Sequence, residues 1–297
     1  MSFNKKLFLS LFAYLLLSLP LDTHAAEARI FLSSGAGAYL TSKDLTTRLM
    51  INSGGGDGIN AAEGVIKYDP KKIKIKKIIK DGSIFDLWAK EPVINGQKGE
   101  VTFSGGTTKA FNGSLGLILK IQLSPLSSGA YSLEMSTSTT MALAANGLAE
   151  NITKDVDGGD YIFGSSATVS DAEKIRNKML GRILLQVEKS GRSWYVYPGD
   201  RMRYFLGRPA DAFNLMRKLG LGVNHAYIKK YEKGAFPATV SGKILLDVED
   251  SGKAYYINPT DRKAYYLGRP ADAFQVMRKL GLGISNDLIK KIPDWAI

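Results

Sequence analysis

The stretch LGLILKIQL, residues 115–123, decides the fold of the N-terminal half. Its odd-numbered residues are all Leu or Ile, and its even-numbered residues include Lys120 and Gln122. A two-residue period of apolar side chains is typical of a β-strand with one buried face. We therefore expect the odd-numbered residues from Leu115 to Leu123 to face a core.

Similar alternation recurs around this stretch, at residues 71–76 and 131–136. Glycine-rich breaks at 53–58, 105–106 and 112–113 separate the apolar runs, and no segment between 26 and 165 has a helical period. Many short strands with turn signals between them indicate a sandwich or a barrel, of which we favour the sandwich. The sequence thus predicts a mainly β fold.

Composition restricts the chemistry of the chain. Its 297 residues contain no Cys and two His, which excludes disulfides, thiolate metal sites and cysteine nucleophiles. The net charge of +12 is uneven: residues 26–165 carry 15 Lys+Arg and 14 Asp+Glu, whereas residues 166–297 carry 23 and 13. The positive charge belongs to the C-terminal half and favours an anionic partner there.

The first 25 residues have the pattern of a secretory signal peptide. Lys5 and Lys6 precede an apolar run at 7–21, and small residues follow at 23–26. We expect cleavage after Ala25 or Ala26, with an uncleaved anchor as the alternative. The mature chain would be secreted and cell-surface associated, with no transmembrane segment. His225 would be its single histidine, which argues against histidine catalysis or a multi-histidine metal site.

Residues 26–165 also resemble a known family. The resemblance is carried by several short motifs: 59–70 (INAAEGVIKYDP), 84–85 (IF) with Trp88, 91–92 (EP), 101–106 (VTFSGG) and 111–114 (FNGS). These residues resemble cohesin-like domains. The resemblance implies a jelly-roll β-sandwich related to carbohydrate-binding modules, of the kind found on secreted and surface-attached bacterial proteins. Cohesins of cellulosomes bind dockerins through one sheet face, so it also implies a possible docking partner.

An Asp-, Gly- and Ser-rich stretch, 154–171, separates the two halves and indicates a linker, which we place at 166–180. Asp155, Asp157 and Asp160 offer hard oxygen ligands that would suit calcium. They lack the loop spacing and the distal Glu of an EF-hand. We therefore predict a polar turn here and no metal site.

The C-terminal half is duplicated. Residues 181–231 align without gaps on residues 242–292, an offset of 61, with 31 of 51 positions identical. We assign repeat unit 1 to 181–234 and repeat unit 2 to 235–297. Each unit is predicted as β-β-β-α, with Pro209 opening the first helix and Gly220 as its left-handed C-cap. Units this small should pack together or lean on the sandwich.

The repeated motifs resemble a repeat at the ends of secreted proteins of candidate-phyla bacteria. The motifs are GRILL and GKILL, then YFLGRPADAF and YYLGRPADAF, then MRKLGLG in both copies. In those proteins the repeat accompanies varied extracellular domains. The resemblance implies an accessory role and identifies no site.

Aromatic and basic residues interleave in both units and suggest a binding surface, because aromatic rings stack on sugars and Arg matches anionic groups. The candidate residues are Trp194, Arg203, Tyr204, Arg208, Tyr255, Arg262, Tyr265 and Arg269. The alternative is that most of these aromatics are structural, since neighbouring residues of a strand point to opposite faces. Nucleic acid is not expected as a partner, because no motif for it is present.

Catalysis is the least favoured function. Asp200 and Asp261, and likewise Glu188 and Glu249, occupy equivalent positions in the two units, and a glycan hydrolase would need two carboxylates on one cleft. No nucleophile, zinc or phosphate-loop motif is present. The main prediction is a secreted, non-catalytic surface protein without cofactor that binds extracellular polysaccharide or cell-wall polymer. The alternative is a protein–protein adaptor that docks another surface protein through the cohesin-like domain.

Overall fold

The computed structural model describes residues 27–34, 36–188, 191–207 and 209–295. The predicted signal peptide and Arg208 lie outside these residues. The fold is mainly β, as the sequence predicts: two packed sheets form the N-terminal half, and two smaller sheets with helices form the C-terminal half.

Twelve strands build the N-terminal sandwich. They are β1 (Ala28–Ser33), β2 (Ala36–Leu40), β3 (Leu45–Asn52), β4 (Ile59–Tyr68), β5 (Ile73–Ile79), β6 (Leu87–Asn95), β7 (Glu100–Phe111), β8 (Gly116–Pro125), β9 (Gly129–Glu134), β10 (Met141–Ala144), β11 (Thr153–Asp157) and β12 (Gly159–Gly164). The first sheet has the order β11-β1-β3-β8-β5. The second has the order β2-β12-β9-β4-β7-β6, with β10 also paired to β4. We call them the first and the second sheet.

The core between these sheets is apolar and closely packed, and β8 supplies several of its central residues. Leu119, Ile121 and Leu123 are buried, as the alternation predicts. The prediction fails for Leu115, which precedes β8 and is half-buried, and for Leu117, because the pairing of β8 with β3 shifts register between Leu49 and Met50. This bulge places two consecutive residues, Ile118 and Leu119, in the core and leaves Leu117 half-buried.

The 154–171 stretch is regular, which corrects the predicted polar turn. Strand β11 runs parallel to β1 in the first sheet, and β12 runs parallel to β2 in the second. Gly158 joins them at a crowded point, where an added Cβ would lie 2.1 Å from the carbonyl oxygen of Leu133. A 14-residue helix, α1 (Ser166–Met179), then occupies the predicted linker and packs beside β2 and β12.

The C-terminal half contains nine strands and four further helices within its described residues. They are β13 (Ile183–Gln186), β14 (Arg192–Val196), β15 (Arg203–Phe205), α2 (Pro209–Leu219), β16 (Leu221–Val223), α3 (His225–Tyr231), β17 (Ile244–Asp247), β18 (Lys253–Ile257), β19 (Ala264–Tyr266), α4 (Pro270–Leu280), β20 (Leu282–Ile284), α5 (Asn286–Ile289) and β21 (Asp294–Trp295). A short 3-10 helix lies at Ala238–Val240. The order in each copy is therefore β-β-β-α-β-α, one strand and one helix longer than predicted.

Each copy completes the other copy's sheet. Strand β16, which follows the first helix of unit 1, pairs with β17 of unit 2, and β20 of unit 2 pairs with β13 of unit 1. The resulting sheets have the orders β20-β13-β14-β15-β21 and β16-β17-β18-β19. Helices α2 and α4 contact each other above a core that draws buried residues from both copies.

Glycines permit this close approach. Gly181 and Gly242 both have a positive φ, 72° and 73°, and a Cβ added to either would lie 2.4 Å from the Cα of the other. Gly220 is not the predicted left-handed C-cap: its φ is outside the positive region, and its equivalent Gly281 has φ −64°. A side chain at Gly220 is excluded because its Cβ would lie 2.5 Å from the Leu246 side chain.

Candidate functional site

The outer face of the second sheet carries exposed residues where β10, β4, β7 and β6 lie side by side. Alternate residues of β4 point inwards, as buried Ile66 shows, so Glu63, Val65 and Lys67 point outwards. Register pairs Val65 with Thr102 and Thr102 with Val93. These three neighbours therefore form one outward row across the sheet.

A second apolar row runs parallel to the first. Leu87 pairs with Gly106, Gly106 with Ala61, and Ala61 with Leu143. Leu87 is 58% exposed and Val93 is 55% exposed, whereas a strand residue with a covering element would be buried. We call this surface the β6 face; its apolar members are Ala61, Val65, Leu87, Val93, Met141 and Leu143.

The first sheet, in contrast, is partly covered by the C-terminal half. Asp157 at the end of β11 lies between two arginines: Arg29 of β1 contacts its carboxylate at 2.8 Å, and Arg192 of β14 donates a hydrogen bond to it. Arg192 also contacts Asp155 at 2.9 Å. The guanidinium groups of Arg29 and Arg192 lie 4.4 and 5.6 Å from the centre of the Phe205 ring. This charged cluster joins the two halves.

The electrostatics of the cluster follow from its geometry. Burial of the Asp157 carboxylate acts to raise its pKa, but the positive charges of Arg29 and Arg192 outweigh burial and hold the pKa below its usual value. The carboxylate oxygens of Asp155 and Asp157 are thus committed to arginines, in place of the calcium ion considered from the sequence.

The C-terminal strand makes a second connection between the halves. The Asp294 carboxylate accepts a hydrogen bond from the Ala36 amide at 2.9 Å and pairs with Arg203 at 3.4 Å. The ring of Trp295 lies 5.5 Å from the guanidinium of Arg48 on β3. Strand β21 is thereby held between β15 and the sandwich.

A cavity of about 290 Å³ lies between the two connections. Its walls come from the end of the first sheet, from β14 and β15, and from the chain around α5 and β21. Its aromatic members are Phe31, Trp194, Tyr204, Phe205 and Trp295. Its charged members come from both halves and are described further below. We call it the interdomain cavity.

Three of the candidate residues in unit 1 are buried. Trp194 is 6% exposed and its indole Nε1 donates a hydrogen bond to Gln186 at 3.1 Å. Tyr204 is 3% exposed, and its hydroxyl donates to Asp200. The guanidinium of Arg203 lies 4.4 Å from the Trp194 ring centre and is equally buried. These residues do not form an exposed stacking platform, which favours the structural interpretation of the aromatics.

The candidates in unit 2 are dispersed. Tyr255 is half-buried against the ring of Tyr266, 5.4 Å away, and the Tyr265 hydroxyl donates to Asp261 at 2.7 Å. Arg262 is exposed with φ 56°, and Arg269 is exposed at the start of α4. The structure brings no more than Trp194, Arg203 and Tyr204 together at one cavity, and Arg208 lies outside the described residues.

The four carboxylates considered for hydrolysis have equivalent structural partners in the two copies. Asp200 and Asp261 accept from the tyrosine hydroxyls four residues later. Glu249 accepts from the His225 amide at 2.9 Å, and Glu188 accepts from the Asn286 amide at 2.9 Å. Each glutamate therefore accepts a hydrogen bond from the first amide of a helix in the other copy. All four carboxylates thus have a hydrogen-bond partner within the protein.

His225 lies beside two acidic residues that the sequence did not connect to it. Its Nδ1 lies 2.7 Å from the fully buried Asp247 carboxylate, and Asp250 completes a group whose ligand atoms lie within 4.8 Å of one another. Asp250 pairs with Lys253 at 2.8 Å. At the equivalent place, Gln186 donates to Asn286, so a neutral amide pair replaces the ionisable one.

Sequence reasoning missed the β6 face and the interdomain cavity. Both depend on strand register and on how the halves pack, which the repeat alignment does not contain. The spacing of Asp155 and Asp157 is visible in the sequence. Their arginine partners are not, because Arg192 lies 37 residues from Asp155 and Arg29 lies 128 residues from Asp157. Among the described residues, no helix is both long and apolar enough to cross a bilayer.

Comparison with known proteins gives structural neighbours that cover about half of the chain. No family model matches the chain, and no curated protein is significantly similar. Solved structures of cohesin domains are similar to it. A type I cohesin from Pseudobacteroides cellulosolvens has 13% identity and a TM-score of 0.39, covering 47% of this chain and 94% of its own.

Two further neighbours are alike in extent. A non-cellulosomal cohesin from the archaeon Archaeoglobus fulgidus has 10% identity and a TM-score of 0.39, covering 49% of this chain and 97% of its own. A type I cohesin–dockerin complex from Clostridium thermocellum has 13% identity and a TM-score of 0.39, with coverages of 46% and 93%.

Proposed function

We propose that the protein is a non-catalytic docking protein whose β6 face binds a partner protein. The observation that carries the proposal is the exposure of Leu87 and Val93 on β6, the edge strand of the second sheet. The two rows flank a third row, formed by Lys90, Ser104 and Glu63, so the face combines exposed apolar side chains with charged ones. The partner is a folded module that lays an apolar surface on β6 and β7.

Charged residues lie both at one end of the apolar rows and between them. Glu100 pairs in register with both Lys67 and Asn95, at one end of the β6 face. Glu63 accepts a hydrogen bond from Ser104 at 3.2 Å between the two rows. A mixed surface of this kind is usual in a non-obligate protein–protein interface, which as a whole is about as apolar as the rest of the protein surface.

The motifs of residues 59–114 that resemble cohesin-like domains lie largely on β4, β6 and β7, and they support a docking module as the partner. Secretion and attachment at the cell surface belong to the same proposal and rest on the signal-like residues 1–25. The carboxylates considered for catalysis all have structural partners, which supports a role without turnover.

Polysaccharide binding through the aromatic and basic residues of the repeats has less support than docking. A stacking platform on the surface of the repeats requires exposed rings, but Trp194 and Tyr204 are buried and the candidates in unit 2 are dispersed. Leu87 and Val93 on the β6 face are, in contrast, more than half exposed. Docking is therefore the function that we propose for the whole chain.

Capture with matched variants tests the proposal. The mature protein, the L87D/V93D variant and the V187D variant are immobilised and offered a panel of purified type I dockerins together with the secreted proteins of the source cells. Val187 is 64% exposed in unit 1, so V187D places the same charge on an equally exposed residue elsewhere.

The expected result is a partner that binds wild type and V187D, and binds L87D/V93D at least roughly tenfold more weakly, because a charge at an interface core remains desolvated and unpaired. Titration of the identified partner measures the loss. Equal binding to all three proteins, or no partner retained by wild type, would overturn the proposal.

A further inference from the structure

The interdomain cavity has an electrostatic property that distinguishes it from the rest of the C-terminal half. Five cationic and five anionic side chains line it, so their formal charges cancel. They are Arg29, Lys154, Arg192, Arg203 and Lys290, and Glu27, Asp155, Asp157, Asp160 and Asp294. The positive net charge of the C-terminal half is therefore not concentrated at the cavity.

Every one of these charges is paired with an opposite charge in the same lining. Lys154 contacts Glu27 at 3.1 Å, and Lys290 lies 4.0 Å from Asp160. The arginines contact Asp157, Asp155 and Asp294, as described above. An ionic ligand would have to break one of these pairs to find a counter-charge, and desolvating the remaining partner is costly.

Hydroxyl groups face no such obstacle. A guanidinium has five N–H donors and a carboxylate has about four lone-pair sites, so paired groups keep capacity for further hydrogen bonds. A hydroxyl both donates and accepts, and it can bridge an arginine and an aspartate without displacing either. Phe205 and Trp295 also line the cavity, but guanidinium groups already lie over their rings, so the paired charged groups are the main partners for a sugar.

We infer that the interdomain cavity binds a short segment of an uncharged saccharide. Its volume of about 290 Å³ is near the lower limit of typical ligand pockets and is too small for a folded partner. Both halves of the chain contribute to the walls, so the site exists because of the packing of the repeats on the first sheet. It is separate from the β6 face, which lies on the second sheet.

The duplication supplies a matched control for the test. Lys290 lines the cavity, whereas its equivalent Lys229, 61 residues earlier, is exposed and pairs with Glu232 at 3.2 Å. K290W fills the cavity with an indole, and K229W places the same indole on the surface. Thermal unfolding of both variants establishes that they are folded.

Binding is measured on the mature full-length protein with cello-, xylo-, manno- and chito-hexaose as uncharged probes and polygalacturonate as the anionic probe. Two of the three tryptophans, Trp194 and Trp295, line the cavity, so intrinsic fluorescence reports occupancy alongside calorimetry. The inference predicts that an uncharged hexaose binds wild type and K229W at equal strength, insensitively to salt, and binds K290W at least roughly tenfold more weakly.

Three results would overturn it: no uncharged hexaose binds, polygalacturonate alone binds, or K290W and K229W bind alike. Because L87D/V93D leaves the cavity untouched, this variant should retain saccharide binding even where it loses the partner protein. The docking proposal and the saccharide proposal can therefore be refuted independently of each other.

Discussion

The hydroxyl of Tyr195 donates a hydrogen bond to the carbonyl oxygen of Gly242 at 2.7 Å, and so fastens unit 1 to unit 2. The equivalent bond runs in the opposite direction, from Tyr256 to the carbonyl of Gly181, also at 2.7 Å. All four residues are buried. The two copies are therefore joined by a reciprocal pair of bonds in one shared core.

Y195F and Y256F should each destabilise the protein by about 1–2 kcal/mol, because each leaves a buried carbonyl without its donor. The near-symmetric environments predict similar losses for the two variants. Urea unfolding measures both, with Y266F as the control, since Tyr266 is exposed and its change should stay within about 0.5 kcal/mol. A loss for one variant alone would contradict the reciprocal arrangement.

G181A and G242A should be more damaging, at about 3 kcal/mol or more each. Each adds a methyl group that would lie 2.4 Å from the other glycine's Cα, in addition to the cost of a positive φ. G191A separates these two causes, because Gly191 has φ 66° but no atom within 4 Å of the added Cβ. We expect G191A to cost about 1–2 kcal/mol in thermal unfolding. Equal losses at the three positions would exclude the steric contribution.

D157N should destabilise the protein by about 2 kcal/mol at neutral pH, since it removes a carboxylate that two arginines contact. The pKa of Asp157 is lower in the folded protein than in the unfolded chain, so the contribution is complete above the ordinary Asp pKa of about 3.9. It is lost as pH falls through the folded-state pKa.

The measurement is the difference in free energy of unfolding between wild type and D157N as a function of pH. The difference should be constant from neutral pH down to about pH 4 and shrink below it. A difference that grows on acidification would mean that the Asp157 carboxylate is not stabilised by its arginines.

The His225–Asp247 pair can be converted into the amide pair of the other copy. D247Q alone should cost about 2 kcal/mol, because Gln cannot replace the carboxylate that lies 2.7 Å from the imidazole. H225N/D247Q reproduces Gln186 and Asn286, so the second change should recover about 1 kcal/mol. A double-mutant cycle by urea unfolding checks this; strictly additive losses would refute the equivalence of the two pairs.

The sequence predicted the strands better than their arrangement. Alternation identifies which residues of β8 can face a core, but not the bulge at Ile118, because a bulge depends on the partner strand β3. Local turn residues suggested a linker at 154–171, whereas parallel pairing with β1 and β2 makes strands of it. Pairing between segments more than 100 residues apart has no local signal.

The candidate site shows the same division. Interleaved aromatic and basic residues predicted a binding surface, yet Trp194 and Tyr204 are buried in apolar clusters to which both repeat units contribute. The apolar rows of the β6 face arise when Val65, Thr102 and Val93 come into register, and none of them is unusual in its own segment. The repeat alignment did identify Gly181 and Gly242 as equivalent, but only the three-dimensional structure shows that they are in contact.

The exchange of strands β16 and β20 between the two copies has a consequence for how the C-terminal half folds. A chain with a single copy would have a sheet that lacks the strand supplied by the other copy. Only a second molecule could supply this strand. The folding of such a chain would then depend on protein concentration, as in an obligate dimer. Tandem duplication makes the exchange intramolecular, so the folding of this half does not depend on protein concentration.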